Sequence, residues 1–382
     1  MHYYSLPTLL FIWFSLLSFS CTTIKKISNE NTTINKLNYI GAFEMPFNYN
    51  YNNTTIGGLS GIDYNKKNNL FYLISDDRSE KNAARFYTAK LFFTQKGIDS
   101  LIFTSVTNLL QLNGKTYPSS KEDRFKTPDP ESIRYNLKTG RLAWNSEGER
   151  ILNQKDTVLI NPAVSIIKVN GKYKSSFILP NNFKMQSTEN GPRRNNFEGI
   201  SFADKFKTLY VNIEEPLYED APPADLADNN SFIRIIKFNT RKKKSIAQYA
   251  YKLDPVAFKA IPENAFKING VSEILSIGHN KLLVIERSFS TGKIACTIKI
   301  FIADLNNATD ISLIPLMNNL NFTAAKKTLL LNMDKLGIYI DNIEGVTFGP
   351  QLPNGHKTLL FIADNNFNPL QKSQLLLFEV VN

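Results

Sequence analysis

Short apolar runs broken by small or acidic residues recur along this chain with a long period. Each run begins with a five-residue motif, here called the phrase. Its first position is apolar or proline, its second is serine or glutamate, its third is small or polar, and its fourth is isoleucine or valine. The five copies are Leu59–Asp63, Pro130–Arg134, Phe197–Ser201, Val271–Leu275 and Ile343–Thr347. Their second positions are 71, 67, 74 and 72 residues apart, which indicates a structural repeat of about seventy residues.

Each phrase leads through a polar turn into a second apolar run that ends in acidic residues. A polar turn between two such runs is typical of antiparallel strands. The second runs are Leu70–Asp77, Leu142–Glu147, Leu209–Glu215, Leu282–Glu286 and Leu359–Asp364. Two further β patterns follow in most copies, as in Phe232–Phe238 and Ser245–Tyr251. Each repeat therefore predicts a four-stranded antiparallel sheet.

Four-stranded sheets repeated in series predict an all-β fold, the β-propeller. We count five blades, and a sixth would have to lie within the long insertions at 114–129, 181–196, 215–230 and 317–341. The third insertion is predicted to be a loop, and the last to contain a short helix near residues 324–333. One strand is left over at each end of the chain, Lys36–Phe43 and Gln374–Val381. We expect the N-terminal strand to complete the last blade and close the ring.

This fold predicts a ring of carboxylates at one mouth of the propeller. The first strand of each blade lines the central channel, and its antiparallel neighbour returns to the same rim. The expected neighbours are Glu131 with Glu147, Glu198 with Glu214, Glu273 with Glu286, Glu344 with Asp364, and Ser60 with Asp76. Glu273 is one residue out of register, which turns its side chain to the other face of the strand. It is therefore the weakest member of the ring.

Like charges held close together cost free energy unless something relieves them. Three explanations of the ring stay open at this point. The carboxylates hold a hard cation such as Ca²⁺, they form a salt-bridge lattice with arginines, or two of them act directly as acid and base without a metal. The arginines placed beside these acids in sequence are Arg78, Arg193, Arg194 and Arg287.

Composition excludes several other classes of protein. The 382 residues carry a formal charge of +11, but the longest basic run, Arg241–Lys244, reads as a hairpin turn, so we expect no nucleic-acid partner. Two cysteines are too few for a disulfide framework or a cysteine zinc site. There are three histidines, of which His279 and His356 fall in turns at the end opposite the acidic rim. This placement argues against a nucleophilic triad.

The N-terminal residues have the pattern of a bacterial export signal. An apolar core at residues 9–20 is too short to span a bilayer, and the small Ser20 before Cys21 resembles a lipoprotein cleavage site. We therefore predict a signal peptide over 1–20, lipidation of Cys21, a linker over 21–35 and a single propeller domain over 36–382. The protein would be periplasmic or attached to the outer membrane, with its lipid anchor as the only membrane contact.

The repeat units resemble the family called esterase-like activity of phytase, a bacterial and mostly exported family assigned to the β-propellers. The resemblance covers roughly residues 37–381. The motifs that carry it are Gly57–Asp63 with Tyr72–Arg78, Asp129–Ile133, Asn196–Phe202 and Asn342–Phe348. It implies hydrolysis of phosphoesters or other esters of small molecules, with acidic residues as the active groups.

The resulting hypothesis is an exported propeller hydrolase. Its candidate catalytic residues are Glu131, Glu198, Glu344 and Asp364, and its candidate metal ligands are Glu131, Glu198, Glu214, Glu344 and Asp76. Ca²⁺ is the expected cofactor, and Arg78, Arg193, Arg194 and Arg287 are the candidate substrate-binding residues. The alternative is a non-catalytic envelope propeller that binds a glycan, peptide or protein partner. That alternative predicts that arginines neutralise all the acids and that no cavity lies among them.

Overall fold

The computed structural model describes residues 1–2, 32–153, 156–194, 196–316 and 321–382. Over these residues the chain forms five four-stranded antiparallel sheets and two short ribbons. The strands that precede the first blade are β1 (Lys36–Met45), β2 (Asn50–Tyr51) and β3 (Thr54–Thr55). Blade 1 consists of β4 (Leu59–Asn65), β5 (Leu70–Ser75), β6 (Arg85–Thr94) and β7 (Gly97–Asn108).

Blade 2 follows a short helix α1 (Ser120–Asp123) and a 3-10 turn (Arg124–Lys126). The next six strands are β8 (Pro130–Asn136), β9 (Arg141–Ser146), β10 (Glu149–Leu152), β11 (Thr157–Ile160), β12 (Ala163–Lys168) and β13 (Tyr173–Ser176). Strands β8, β9, β12 and β13 form the blade, and β10 pairs with β11 as a separate ribbon. A second 3-10 turn (Asn181–Phe183) then leads to blade 3.

The remaining blades follow the same order from the channel outward. Blade 3 consists of β14 (Phe197–Ala203), β15 (Thr208–Ile213), β16 (Phe232–Asn239) and β17 (Lys244–Lys252). Blade 4 consists of β18 (Lys267–Gly278), β19 (Lys281–Ser290), β20 (Thr297–Asp304) and β21 (Lys326–Asn332). After a 3-10 turn (Met333–Leu336), blade 5 consists of β22 (Asn342–Phe348), β23 (Thr358–Asp364), β24 (Ser373–Val381) and β1.

The N-terminal strand closes the ring, as the sequence predicts. Strand β1 pairs antiparallel with β24, from Lys36 opposite Val381 to Met45 opposite Ser373. The five-bladed, all-β architecture is therefore confirmed, and the described residues contain no sixth blade. Without β1, the long apolar β24 would be an unpaired edge.

The hydrophobic core lies between neighbouring blades. One cluster joins blades 5 and 1 through residues such as Leu59, Phe71 and Leu375, and another joins blades 1 and 2 through Ile74 and Trp144. Strands of a propeller are covered on both faces by adjacent blades, which explains why runs such as Leu359–Ala363 are apolar without alternation.

The prediction of a short helix near residues 324–333 is wrong. Residues Lys326–Asn332 form strand β21, which pairs with β20 from Asp304 opposite Lys326 to Lys299 opposite Asn332. A short apolar run such as Leu329–Leu331 has no periodicity that separates a helix from a strand. Here the open edge of β20 supplies hydrogen-bond partners for the backbone, and this favours a strand over a helix. The loop predicted over 215–230 contains no helix or strand.

The side chain of Arg134 fills the centre of the ring. From strand β8 its guanidinium donates hydrogen bonds to main-chain oxygens of the innermost strands of the other four blades. These acceptors are Ile200 (2.6 Å), Ile62 (2.6 Å), Val346 (2.9 Å) and Ile274 (3.2 Å). The same guanidinium pairs with Glu273 at 2.7 Å. One buried side chain therefore joins all five blades and divides the channel into two mouths.

Apart from residues 1–2, the predicted signal peptide and Cys21 lie outside the described residues. Among the described residues, none of the helices has the length and apolar character needed to cross a bilayer. Cys296 is half-buried just before β20, and burial raises the pKa of its thiol to about 11. It therefore packs against the core as a small apolar side chain.

Candidate functional site

Every copy of the recurring phrase contains a β-bulge on the innermost strand. The regular pairing breaks at the second position of each phrase, for example between Leu59 and Gly61, Val271 and Glu273, and Ile343 and Gly345. The same break lies between Pro130 and Ile133 and between Phe197 and Ile200. A bulge re-aims the side chain of its extra residue. This places the second residue of each phrase at the same point of the rim in all five blades.

Glycine at the third position of a phrase gives room for the next blade. A Cβ on Gly61 would lie 2.7 Å from the main-chain oxygen of Glu131. A Cβ on Gly199 would collide with the Glu273 carboxylate and lie 2.5 Å from Asn212 Oδ1. The innermost strands therefore approach so closely that only glycine fits, and this brings the carboxylates of neighbouring blades together.

Five carboxylates form a continuous cluster at this mouth, here called the acidic cluster. One oxygen each from Asp129, Glu131 and Glu147 lies within 4.8 Å of the other two, and the same holds for Glu147, Glu198 and Glu214. Glu147 belongs to both groups. The expected neighbours Glu131 and Glu147, and Glu198 and Glu214, are thus brought together.

Burial and mutual repulsion act on the protonation of these groups. Burial, and then the Glu198 and Asp129 charges, raise the pKa of Glu131 well above its usual value. Burial also raises the pKa of Glu198 to about 8 and that of Asp129 to about 6, although Arg78 opposes the second shift. Burial and the Glu198 charge raise the pKa of Glu147. The cluster is therefore costly when ionised, unless a cation joins it.

Arginine neutralises one side of this mouth. Arg287 donates to Glu214 and to Glu344, each at 2.8 Å, and also contacts Asn342. Arg194 pairs with Glu215 at 2.6 Å and lies 3.4 Å from Glu214. Glu344 lies outside both groups of the acidic cluster. On this side the structure therefore shows the salt-bridge lattice, which is one of the three explanations that the sequence analysis considers.

The other side of the acidic cluster has fewer partners. No donor among the described residues reaches the side-chain oxygens of Glu131. Arg78 is 3.6 Å from Asp129 and binds Glu149 at 3.2 Å. Glu131 is only partly buried, whereas Glu147 is fully buried. This side is therefore both accessible from solvent and short of positive charge.

Asp364 and Asp76 lie next to the cluster in the interior. The side chain of Asp364 is fully enclosed, and its Oδ1 has no hydrogen-bond partner among the described residues. Burial, and then the Glu344 charge, raise its pKa well above the usual value. Burial, and then the Asp364 charge, also raise the pKa of Asp76 well above its usual value. Gly58, at a φ of +59°, leaves the space that the Asp76 carboxylate occupies.

Glu273 and Glu286 do not join the ring. The bulge in β18 places Val271, not Glu273, opposite Glu286. Glu273 turns into the channel and pairs with Arg134, as its shifted register predicts. Glu286 instead accepts a hydrogen bond from Tyr251 at 2.7 Å and contacts Lys327. The expected pairing of these two acids is therefore wrong.

Arg193 forms no ion pair with the acidic cluster among the described residues. Its guanidinium stacks on the Tyr218 ring at 4.2 Å and donates to the Ala221 carbonyl at 2.8 Å. Arg78 instead lines a cavity of about 390 Å³ next to the acidic cluster. The other residues that line this cavity are Glu80, Ser120, Arg124 and Glu149.

Sequence reasoning places Glu147 at this mouth but not among the candidate ligands, and it misses three other contributors. Asp129 belongs to the acidic cluster, and Arg124 faces the cavity from the 114–129 insertion. Asn145 bridges two blades: it accepts from the Ser132 amide at 2.8 Å and donates to the carbonyl of Glu198 at 2.8 Å. An asparagine inside an apolar strand is unusual, and this was a signal that could have been used.

The histidines lie where the sequence placed them. His279 is in the β18–β19 turn, and His356, before β23, contacts Glu379 through Nδ1 at 2.7 Å. Both turns are at the opposite end of the blades from the acidic cluster. Neither histidine is available as a base there.

The donor set of the acidic cluster fits a hard divalent cation. Ca²⁺ takes carboxylate oxygens, and two groups of three are within reach of one another. Asp129, Glu131 and Glu147 are the best-placed ligands, because Glu131 is accessible from solvent and because neither Glu131 nor Glu147 has a close arginine among the described residues. Glu198 and Glu214 extend the set inward.

Comparison with known proteins gives one sequence match. A sequence model of the family described as Phytase-like, esterase-like activity of phytase, matches residues 54–367. The matched segment contains all five phrases and every residue of the acidic cluster. A search of curated protein sequences gave no significant match.

Several solved structures are similar to this chain at low sequence identity. Hydrazine synthase from Kuenenia stuttgartiensis matches with a TM-score of 0.33 and 10% identity, over 80% of this chain and 64% of that one. An exo-β-1,3-galactanase from Phanerochaete chrysosporium matches with a TM-score of 0.44 and 12% identity, over 91% and 65%. An endo-1,4-β-xylanase from Bacteroides thetaiotaomicron matches with a TM-score of 0.45 and 8% identity, over 83% of this chain and 89% of that one. The chain spans less than two thirds of the first two structures, and likeness this distant carries no information about activity.

Proposed function

The chain belongs to the Phytase-like family, whose description is "esterase-like activity of phytase". From this we propose that it is an exported hydrolase of phosphorylated or other ester substrates. The observation that carries the proposal is the acidic cluster beside an arginine-lined cavity at one mouth. Carboxylates that lack arginine partners and adjoin a cavity suit chemistry better than stability.

Asp129, Glu131 and Glu147 are the proposed ligands of a divalent cation, with Ca²⁺ the best candidate for an all-oxygen set. Glu198 and Glu214 support these ligands from the interior. A bound cation would supply Lewis-acid polarisation of the ester oxygen. The protein's own part is to hold the acids in position. The bulges place Glu131 and Glu198, and the ends of β8, β9 and β15 place Asp129, Glu147 and Glu214.

Arg78 and Arg124 are the proposed contacts for the anionic part of the substrate. Both line the cavity of about 390 Å³, and both reach Glu149, at 3.2 and 3.4 Å. Guanidinium groups bind phosphate and carboxylate oxygens through paired hydrogen bonds. Arg78 also lies 3.6 Å from Asp129, which joins the anion site to the cation site. Arg287 and Arg194 do not line this cavity, and they would act by holding Glu214, Glu215 and Glu344 in place.

Export and lipidation at Cys21 are part of the proposal. They rest on the apolar segment 9–20 and the small residue before Cys21. Metabolic labelling with a radioactive fatty acid tests them: the wild type should be labelled and a Cys21→Ser variant should not. Labelling of neither protein would contradict the lipid anchor.

An activity screen tests the hydrolase. Phosphomonoesters and aryl esters should be offered to the wild type in chelator and with Ca²⁺, Mg²⁺ or Mn²⁺. We expect turnover that depends on the cation and falls roughly a hundredfold in Glu131→Gln. Glu263→Gln, which removes an exposed acid elsewhere, is the matched control and should leave turnover unchanged. Absence of turnover with every substrate and cation would contradict the proposal.

The alternative, a non-catalytic binding propeller, requires that arginines neutralise all the acids. Arg287 and Arg194 do so for Glu214, Glu215 and Glu344. Glu131 has no such partner among the described residues, and this observation favours the hydrolase. The cavity of about 390 Å³ does not separate the two functions, because none of the five acids of the acidic cluster lines it.

A further inference from the structure

The opposite mouth of the channel contains a larger cavity, here called the second pocket. Its volume is about 790 Å³, within the range of small-molecule sites. The ends of all five innermost strands and the turns that follow them form its wall. It therefore lies on the axis of the propeller, at the end of the blades where His279 lies.

Arg134 separates the second pocket from the acidic cluster. Its guanidinium bonds to main-chain oxygens of four blades and forms the floor of the pocket. Asp63 lies beside it and accepts hydrogen bonds from the Tyr135 amide at 2.6 Å and the Thr347 hydroxyl at 3.0 Å. A ligand in this pocket cannot reach the other mouth through the channel. The second pocket is therefore a site of its own, independent of the proposed hydrolase site.

Aromatic rings line much of the wall. Tyr135, Phe202, Phe206 and Phe348 are all partly buried and all face the second pocket. Phe206 lies in the β14–β15 turn at a φ of +65°, a backbone region that bulky residues seldom adopt. Its ring contacts Phe202 at 5.6 Å between centroids. The turn thus holds an aromatic ring over the pocket in spite of an unfavourable backbone.

The rim of the second pocket is positive. Lys205 and Lys207 are exposed and form no ion pair with any described residue, and Lys357 lies over the Phe348 ring at 5.6 Å. The two carboxylates that line the pocket are already engaged. Asp63 has the bonds given above, and Asp204 accepts from the Thr208 hydroxyl at 2.8 Å. Positive charge is therefore in excess around an aromatic cavity.

We propose that the second pocket binds a small organic anion with a flat aromatic or apolar body. The aromatic wall buries the body of the ligand, and the lysines of the rim meet its charge. Enclosure by five blades limits the ligand to small molecules. Exposed lysines steer the anion and are screened by salt, so binding should weaken as ionic strength rises.

The test uses 8-anilinonaphthalene-1-sulfonate, an aromatic sulfonate whose fluorescence rises when it binds. We expect saturable binding to one site on the natively folded wild type. The double variant Lys205→Glu/Lys207→Glu should weaken it about tenfold. The control Lys242→Glu/Lys244→Glu makes the same charge change on exposed lysines of the β16–β17 hairpin of blade 3, outside the pocket, and should leave binding unchanged.

A neutral dye of similar shape, N-phenyl-1-naphthylamine, separates the two parts of the proposal. Phe206→Ala should weaken the binding of both dyes, whereas the Lys205→Glu/Lys207→Glu variant should weaken the binding of the sulfonate alone. Non-saturable binding of the sulfonate, or equal affinity in the pocket variant and its control, would overturn the proposal. Neither outcome depends on hydrolase activity, so the two proposals can fail separately.

Discussion

At the scale of single residues, Arg134 contributes most to the assembly of the ring. It is buried, and its bonds to Ile200, Ile62, Val346 and Ile274 reach every blade except its own. Hydrogen bonds from a charged donor are stronger than neutral ones, and an isolated buried carbonyl is costly. The phrase Pro130–Arg134 contained this arginine, but a sequence pattern cannot show which side chain points along the propeller axis.

Replacing Arg134 by methionine should be strongly destabilising. The change leaves the Glu273 carboxylate buried without its ion-pair partner, and we expect a loss of about 3–5 kcal/mol in the free energy of unfolding. Urea unfolding followed by tryptophan fluorescence measures it. Adding Glu273→Gln should restore part of the loss, because the unpaired charge is then removed. A single variant as stable as the wild type would refute the role of Arg134.

Glu273 should make stability depend on pH with an unusual sign. Burial, opposed by the Arg134 charge, raises the pKa of Glu273 from 4.5 to about 7. Between these two values the folded protein binds a proton that the unfolded chain has released, so stability falls as pH rises through this window. Relative to Glu273→Gln, the wild type should lose up to about 3 kcal/mol between pH 4.5 and 7. Parallel pH profiles of the two proteins would contradict this.

At the scale of the elements, the β-bulge of each innermost strand explains the recurring phrase. The period and the paired apolar runs predicted four-stranded blades and their order correctly, because strand pairing in a repeat is local. The sequence did not show the bulges, since they arise only when two strands pair. It also mispredicted β21, whose conformation depends on the open edge of β20 and not on its own pattern.

The β1 strand should be indispensable. Deleting residues 36–43 exposes the edge of β24, whose side chains are almost all buried. Exposed apolar edges invite aggregation, so we expect loss of soluble, cooperatively folding protein. Size-exclusion chromatography and thermal unfolding measure this. Deletion of residues 22–31, within the predicted linker, is the control and should leave the protein folded. An equally stable protein without 36–43 would refute closure by β1.

At the scale of the whole molecule, the two mouths of the propeller have opposite character. The chain carries a net charge of +11, yet five carboxylates form a cluster at one mouth, while lysines and aromatic rings surround the other. Strand order and register were enough to predict the acidic mouth. The basic mouth was not predicted, because its lysines lie in turns that are far apart in sequence and do not form a run.

The central claim is that the acidic cluster binds a divalent cation, and thermal unfolding in chelator and in millimolar Ca²⁺ tests it most directly. A ligand that binds only the folded state stabilises it by about 2.7 kcal/mol at a hundredfold excess over Kd. We expect Ca²⁺ to raise the wild-type midpoint, and Glu131→Gln to lose most of this gain. In chelator, Glu131→Gln should be at least as stable as the wild type, because a carboxylate without an arginine partner among the described residues is gone from a group of like charges.

Glu344→Gln is the matched comparison in the same experiment. Glu344 lies outside both groups of the acidic cluster and pairs with Arg287, so its loss leaves that buried guanidinium short of a partner. It should lower the midpoint equally in both buffers and keep the Ca²⁺ gain. A wild-type midpoint that ignores Ca²⁺, with both variants equally destabilised in the two buffers, would contradict the cation site and leave these acids with a structural role.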